Sequence, residues 1–126
     1  MRIKFSSIQS VAELIRLAGF ETVHEENFEV AGTEFFISVI NSGRGLDVIY
    51  GLKSDQGQEV LGEAGYGFDN AKAADSALKI LKQTITNSQP VLHDPESSVQ
   101  DVLEYIDNYY SENLKQVPEV WSHINA

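Results

Sequence analysis

Residues 33–40 constrain this chain more than any other stretch. Phe35, Phe36, Ile37, Val39 and Ile40 are all strong strand formers. Successive side chains on a strand point to opposite faces, and both faces here are apolar. Both must be covered, so the stretch belongs in the middle of a sheet. Asn41-Ser42-Gly43-Arg44-Gly45 follows as a turn cluster. Residues 46–53 then alternate, with Leu46, Val48, Tyr50 and Leu52 on one side. Ser54-Asp55-Gln56-Gly57 makes a second turn. Residues 58–65 form a weaker strand around Val60 and Leu61, loosened by glycine. Upstream, residues 21–30 are extended and acidic and end at the tight turn Ala31-Gly32. Connections this short imply an antiparallel meander.

Helical patterning flanks these strands. Ile3 and Phe5 against Lys4 suggest a short edge strand at 2–5. A helix over about 7–18 carries Ile8, Val11, Ile15 and Ala18 on one face, with Gly19 placed to end it. A second helix, about 70–86, is capped by Asp69 or Asn70 and buries Ala74, Ala77, Leu78, Leu81 and Ile85. Residues 87–95 read as a loop broken by Pro90 and Pro95. A third helix, about 95–115, starts at Asp94-Pro95 or is capped by Ser98. Val99, Val102, Leu103, Ile106 and Tyr110 share its buried face; Asp101, Glu104, Asp107 (or Asn108) and Glu112 are expected on the other side. Val117, Pro118, Val120 and Trp121 make the tail apolar enough to dock. The expected architecture is one α+β domain over residues 1–126. A three- to four-stranded antiparallel meander (about 21–65) packs against helices, in the order α-β-β-β(-β)-α-α.

Charge narrows the function classes. The net charge is −10, which argues against direct binding to nucleic acid or an anionic membrane and suits a basic protein partner. The charge is uneven: residues 90–126 carry seven acids against Lys115 alone, net −6 of the −10. Such asymmetry suggests an interaction surface. No apolar run approaches the roughly 18 residues that span a bilayer, and the N-terminal residues lack a signal-peptide core. The chain has no cysteine, which excludes disulfides, thiolate chemistry and Cys-ligated metals. The cytoplasm is the default expectation.

No specific catalytic or cofactor motif is present. The glycine-rich corner Gly62-Glu63-Ala64-Gly65-Tyr66-Gly67 precedes a helix with Lys72 in its first turn, and backbone N–H groups at a helix start can hold phosphate. The pattern is neither a P-loop nor a dinucleotide fingerprint, and Glu63 and Asp69 would repel phosphate. His24-Glu25-Glu26 and His93-Asp94 supply too few convergent ligands for a metal. No nucleophile-elbow pattern occurs. Tyr105, Tyr109 and Tyr110 cannot all face the core, so Tyr105 or Tyr109 is expected at the surface among carboxylates, a combination suited to protein interfaces.

The α-β-β-β-α order over about residues 7–86, with Gly62 to Gly67 leading into Ala71-Lys72-Ala73-Ala74, resembles that of a double-stranded RNA-binding domain. That family's basic helix start is replaced here by Phe68-Asp69-Asn70-Ala71-Lys72, which leaves one lysine and removes the phosphate clamp. Size, acidity, meander and acidic C-terminal helix are also similar in style to the immunity proteins that neutralise nuclease toxins and to phage inhibitors of bacterial defence, including anti-CRISPR proteins.

The resulting expectation is a non-enzymatic inhibitor without cofactor or metal. It would occupy a basic protein surface through Asp101, Glu104, Tyr105, Asp107, Tyr109 and Glu112. The alternatives are a small ligand-binding or enzymatic domain at the Gly62–Gly67 corner, and a homodimeric accessory protein.

Overall fold

The computed structural model describes residues 15–125, so the expected strand at 2–5 and most of the expected helix at 7–18 lie outside the described residues. Residues 15–17 are helical and close at Gly19 in the left-handed conformation (φ 77°). Phe20 N–H reaches the Ile15 carbonyl and Gly19 N–H the Arg16 carbonyl, each at 3.1 Å, which satisfies the last free carbonyls of that helix.

An antiparallel sheet follows. Strand β1 (Glu21–Val30) pairs with β2 (Thr33–Asn41), and β2 with β3 (Leu46–Lys53). The β1–β2 turn is two residues, Ala31 and Gly32, both with positive φ (51° and 82°). Positive φ at both positions is the type I′ geometry, whose twist matches that of the flanking strands. β2 is central, as its two apolar faces require. Phe35, Ile37 and Val39 are buried towards the main helices, where Val48, Tyr50 and Leu52 of β3 join them. Phe36 and Ile40 look the other way and form a second cluster with Ile15.

The fourth position of the sheet departs from the continuous strand expected at 58–65. It is split into β4 (Glu59–Leu61) and β5 (Tyr66–Phe68), both antiparallel to β3. Leu61 pairs with Gly51 and Tyr66 with Val48, so four residues, 62–65, lie opposite only Ile49 and Tyr50. The glycine-rich corner is therefore a wide bulge inside a strand rather than a loop before a helix. Aromatic rings lie over glycine on both sides of this region. A Cβ on Gly51 would sit 2.5 Å from the Phe36 ring, and one on Gly62 would sit 2.1 Å from Tyr50.

Helix α1 (Ala71–Thr86) is capped by Asn70, whose side chain accepts the Ala73 N–H at 2.7 Å. Ala73, Ala74 and Ala77 are buried and bring the helix close to the sheet; Leu81 and Ile85 continue the stripe. The expected loop at 87–95 contains a short helix, α2 (Gln89–Leu92), with proline in its first turn. Helix α3 (Val99–Lys115) packs beside α1, and α4 (Pro118–Trp121) docks Val120 into the core. Residues 123–125 run along β5: Asp69 N–H bonds to the His123 carbonyl and Asn125 N–H to the Gly67 carbonyl, both at 2.9 Å. Among the described residues, no helix is long and apolar enough to cross a membrane. The fourth sheet position and α3, which buries the same sheet face as α1, go beyond the three-stranded order of an RNA-binding domain.

Candidate functional site

Helix α3 starts where its sequence supplies a capping box. The Ser98 hydroxyl accepts the Asp101 N–H at 3.1 Å, and the Asp101 carboxylate accepts the Ser98 N–H at 2.9 Å. Asp101 is exposed but committed to this cap, and Val99 is exposed rather than buried. Val102, Leu103, Ile106, Tyr110 and Leu114 form the buried stripe.

The outer face carries Asp101, Glu104, Tyr105, Tyr109 and Glu112. The rings of Tyr105 and Tyr109 meet at 4.5 Å between centroids. Tyr105 is half-buried against the core, whereas Tyr109 remains 51% exposed. Glu104 is exposed and accepts from the Gln100 amide at 3.5 Å. Glu112 faces Lys115 at 3.6 Å, an exposed pair held weakly because water screens both partners.

Asp107 does not belong to this face. At 100° per residue it lies close in azimuth to Leu103 and Tyr110, on the flank of the buried stripe. One of its oxygens, Oδ1, accepts the Tyr50 hydroxyl and the Ala64 N–H (3.2 Å); Oδ2 accepts the Glu63 N–H (3.2 Å). The bulge amides do hold an anion, and it is the protein's own carboxylate. The Tyr50 ring fills the space beside Gly62, and its hydroxyl also lies 3.3 Å from the Leu103 carbonyl. Burial, reinforced by the charge of Asp107, raises the Tyr50 pKa far above its ordinary value, so this hydroxyl stays a donor at neutral pH. Sequence reasoning missed the contact. Its signals were a polar tip at a core-facing strand position, which needs a partner, and an acid one turn from Leu103.

Polar clusters elsewhere are small. Glu26 of β1 accepts from Lys82 of α1 and lies 3.2 Å from His24, and these partners hold its carboxyl below the usual range, Lys82 first. Glu25 is directed to the other sheet face. His93 is exposed at the end of α2, and Asp94 accepts the Glu96 N–H at 2.9 Å. Among the described residues, no three His, Cys, Asp or Glu side chains converge as metal ligands would. Two open surface depressions, one beside Pro90 and His93 and one beside Lys72 and Glu119, include neither the corner nor the outer face of α3.

Comparison with protein-family models, curated proteins and solved structures gives no match.

Proposed function

We propose that this protein is a small acidic binding protein that occupies a basic surface on a partner protein. The outer face of α3 is the contact, and inhibition of a nucleic-acid-handling enzyme is the activity. The observation that carries this reading is the exposed Tyr109 ring, tilted against Tyr105 with 4.5 Å between centroids, on a helix that also exposes Glu104 and Glu112. Tyr109, Glu104 and Glu112 are exposed and not committed to holding the fold, unlike Asp107 and Asp101, and Tyr105 backs the Tyr109 ring from a half-buried position. Carboxylates on such a face speed encounter with a cationic surface, and a tyrosine pair supplies area to bury at low entropic cost.

The test begins with capture of a partner from the source cell's lysate on the tagged chain. Association is then measured for wild type and for the variants Glu104→Lys, Glu112→Lys and Tyr109→Ala. Glu104→Lys and Glu112→Lys should slow association and flatten its salt dependence; Tyr109→Ala should speed dissociation. Unchanged kinetics in all three would remove α3 as the contact.

A further inference from the structure

The two edges of the sheet are finished differently. On the β4–β5 side, Asp107 holds the bulge amides and residues 123–125 run along β5. On the other side, β1 is ten residues long and among the described residues pairs with β2 alone. Among the described residues nothing covers its outer edge, so alternate backbone N–H and C=O groups face outward.

This edge is acidic on one face and apolar towards its end on the other. Glu25 and Glu29 alternate on the face away from the main helices, with Asn27 between them. Glu29 also stands directly opposite Glu34 of β2, a like-charge pair that Lys53 relieves only from the Glu34 side, at 3.5 Å. On the helix-covered face, Lys82 and His24 already balance Glu26, and Phe28 stacks with Phe35. Val23, at the register shift, keeps an apolar side chain 55% exposed.

We propose that the β1 edge accepts an extended lysine- or arginine-rich segment of a partner protein as an added strand. Backbone pairing would hold the segment, and charge would select it. Its alternate residues would lie beside Glu25 and Glu29 on one face and beside Phe28 on the other, so the preferred sequence alternates basic and apolar residues. A second copy of this chain is the wrong occupant, because β1 against β1 brings glutamates together. β1 lies across the sheet from the bulge that α3 clamps, so this surface stands independently of the α3 face.

Fluorescence anisotropy with labelled peptides of the length of β1 tests the proposal. One peptide alternates Lys and Val, one has the same sequence with every backbone nitrogen methylated, and one alternates Glu and Val. The Lys/Val peptide should bind, and affinity should fall about tenfold or more for the E25K/E29K variant. The methylated and Glu/Val peptides should not bind. Equal binding of the methylated peptide would mean charge attraction without strand pairing and would overturn the proposal. So would retained affinity in E25K/E29K, or a loss of affinity in E104K/E112K instead.

Discussion

Asp107, in the middle of α3, accepts a hydrogen bond from the buried hydroxyl of Tyr50 on β3, 57 positions earlier in the chain. The same carboxylate binds the Glu63 and Ala64 amides, so one side chain joins the central sheet, the bulge and the helical layer. Asp107→Ala leaves these donors short of an acceptor in a partly buried place. It should cost about 2–4 kcal/mol in urea denaturation. Tyr50→Phe should cost about 1 kcal/mol, and the double variant less than the sum of the two. A loss under about 0.5 kcal/mol for Asp107→Ala would show that water replaces the carboxylate freely.

Two glycines of the bulge should respond differently to alanine. A Cβ at Gly62 would lie 2.1 Å from the Tyr50 ring, which is fully buried and cannot swing away. At Gly65 the nearest atom is the Ile49 methyl at 3.4 Å, an ordinary contact. Gly62→Ala should therefore lose about 2–3 kcal/mol by overpacking. Gly65→Ala should stay within about 0.5 kcal/mol of wild type. Thermal melts of both variants decide it; equal losses would contradict the ring-over-glycine packing.

Ala31 holds φ at 51°, a region that its Cβ disfavours. Asn tolerates that conformation, and Asn-Gly is the preferred pair for such a turn. Ala31→Asn should stabilise the protein by about 0.5–1 kcal/mol. The turn is exposed, so no packing changes with the substitution. A drop in the melting temperature would count against this turn geometry.

Two carboxylates should give pH dependences of opposite sign. The Glu26 pKa is lowered by its hydrogen bonds to Lys82 and then His24, so its stabilising contribution is present above the ordinary glutamate pKa. That contribution disappears as pH falls through the lower folded value. Because both side chains remain partly exposed to water, Glu26→Gln should cost only about 0.5 kcal/mol at neutral pH, and nothing once the carboxyl is protonated. Burial raises the Asp47 pKa, so ionising it in the folded state loses stability as pH rises through the raised value. Asp47→Asn should be more stable than wild type at neutral pH and should lose that advantage below the ordinary aspartate pKa. Denaturation midpoints across acidic to neutral pH test both signs.

Much of the fold is legible in the residues themselves. The alternation of Leu46, Val48, Tyr50 and Leu52 matches the buried face of β3, and the apolar faces of residues 33–40 match a central strand. Asn70 and Ser98 cap the helices they precede. The division of the fourth strand was hidden because its cause lies 43 and 44 residues away, in the Asp107 carboxylate that stabilises an otherwise unpaired bulge. Local propensity cannot carry that information. The same limit applies to the α3 surface. Periodicity puts Asp107 on the flank of the buried stripe beside Leu103, but it does not show that the carboxylate meets Tyr50 and the bulge amides, on strands that no local pattern places there.

The bulge between β4 and β5 ties the completion of the sheet to one helix. Its two inward amides gain their acceptor only when α3 arrives, after closure of a segment more than forty residues long. The bulge amides therefore keep their acceptor only while α3 stays docked, and they lose it if α3 lifts. The exchange rates of the Glu63 and Ala64 amide hydrogens become a built-in gauge of helix docking, readable with any molecule bound on the outer face of α3.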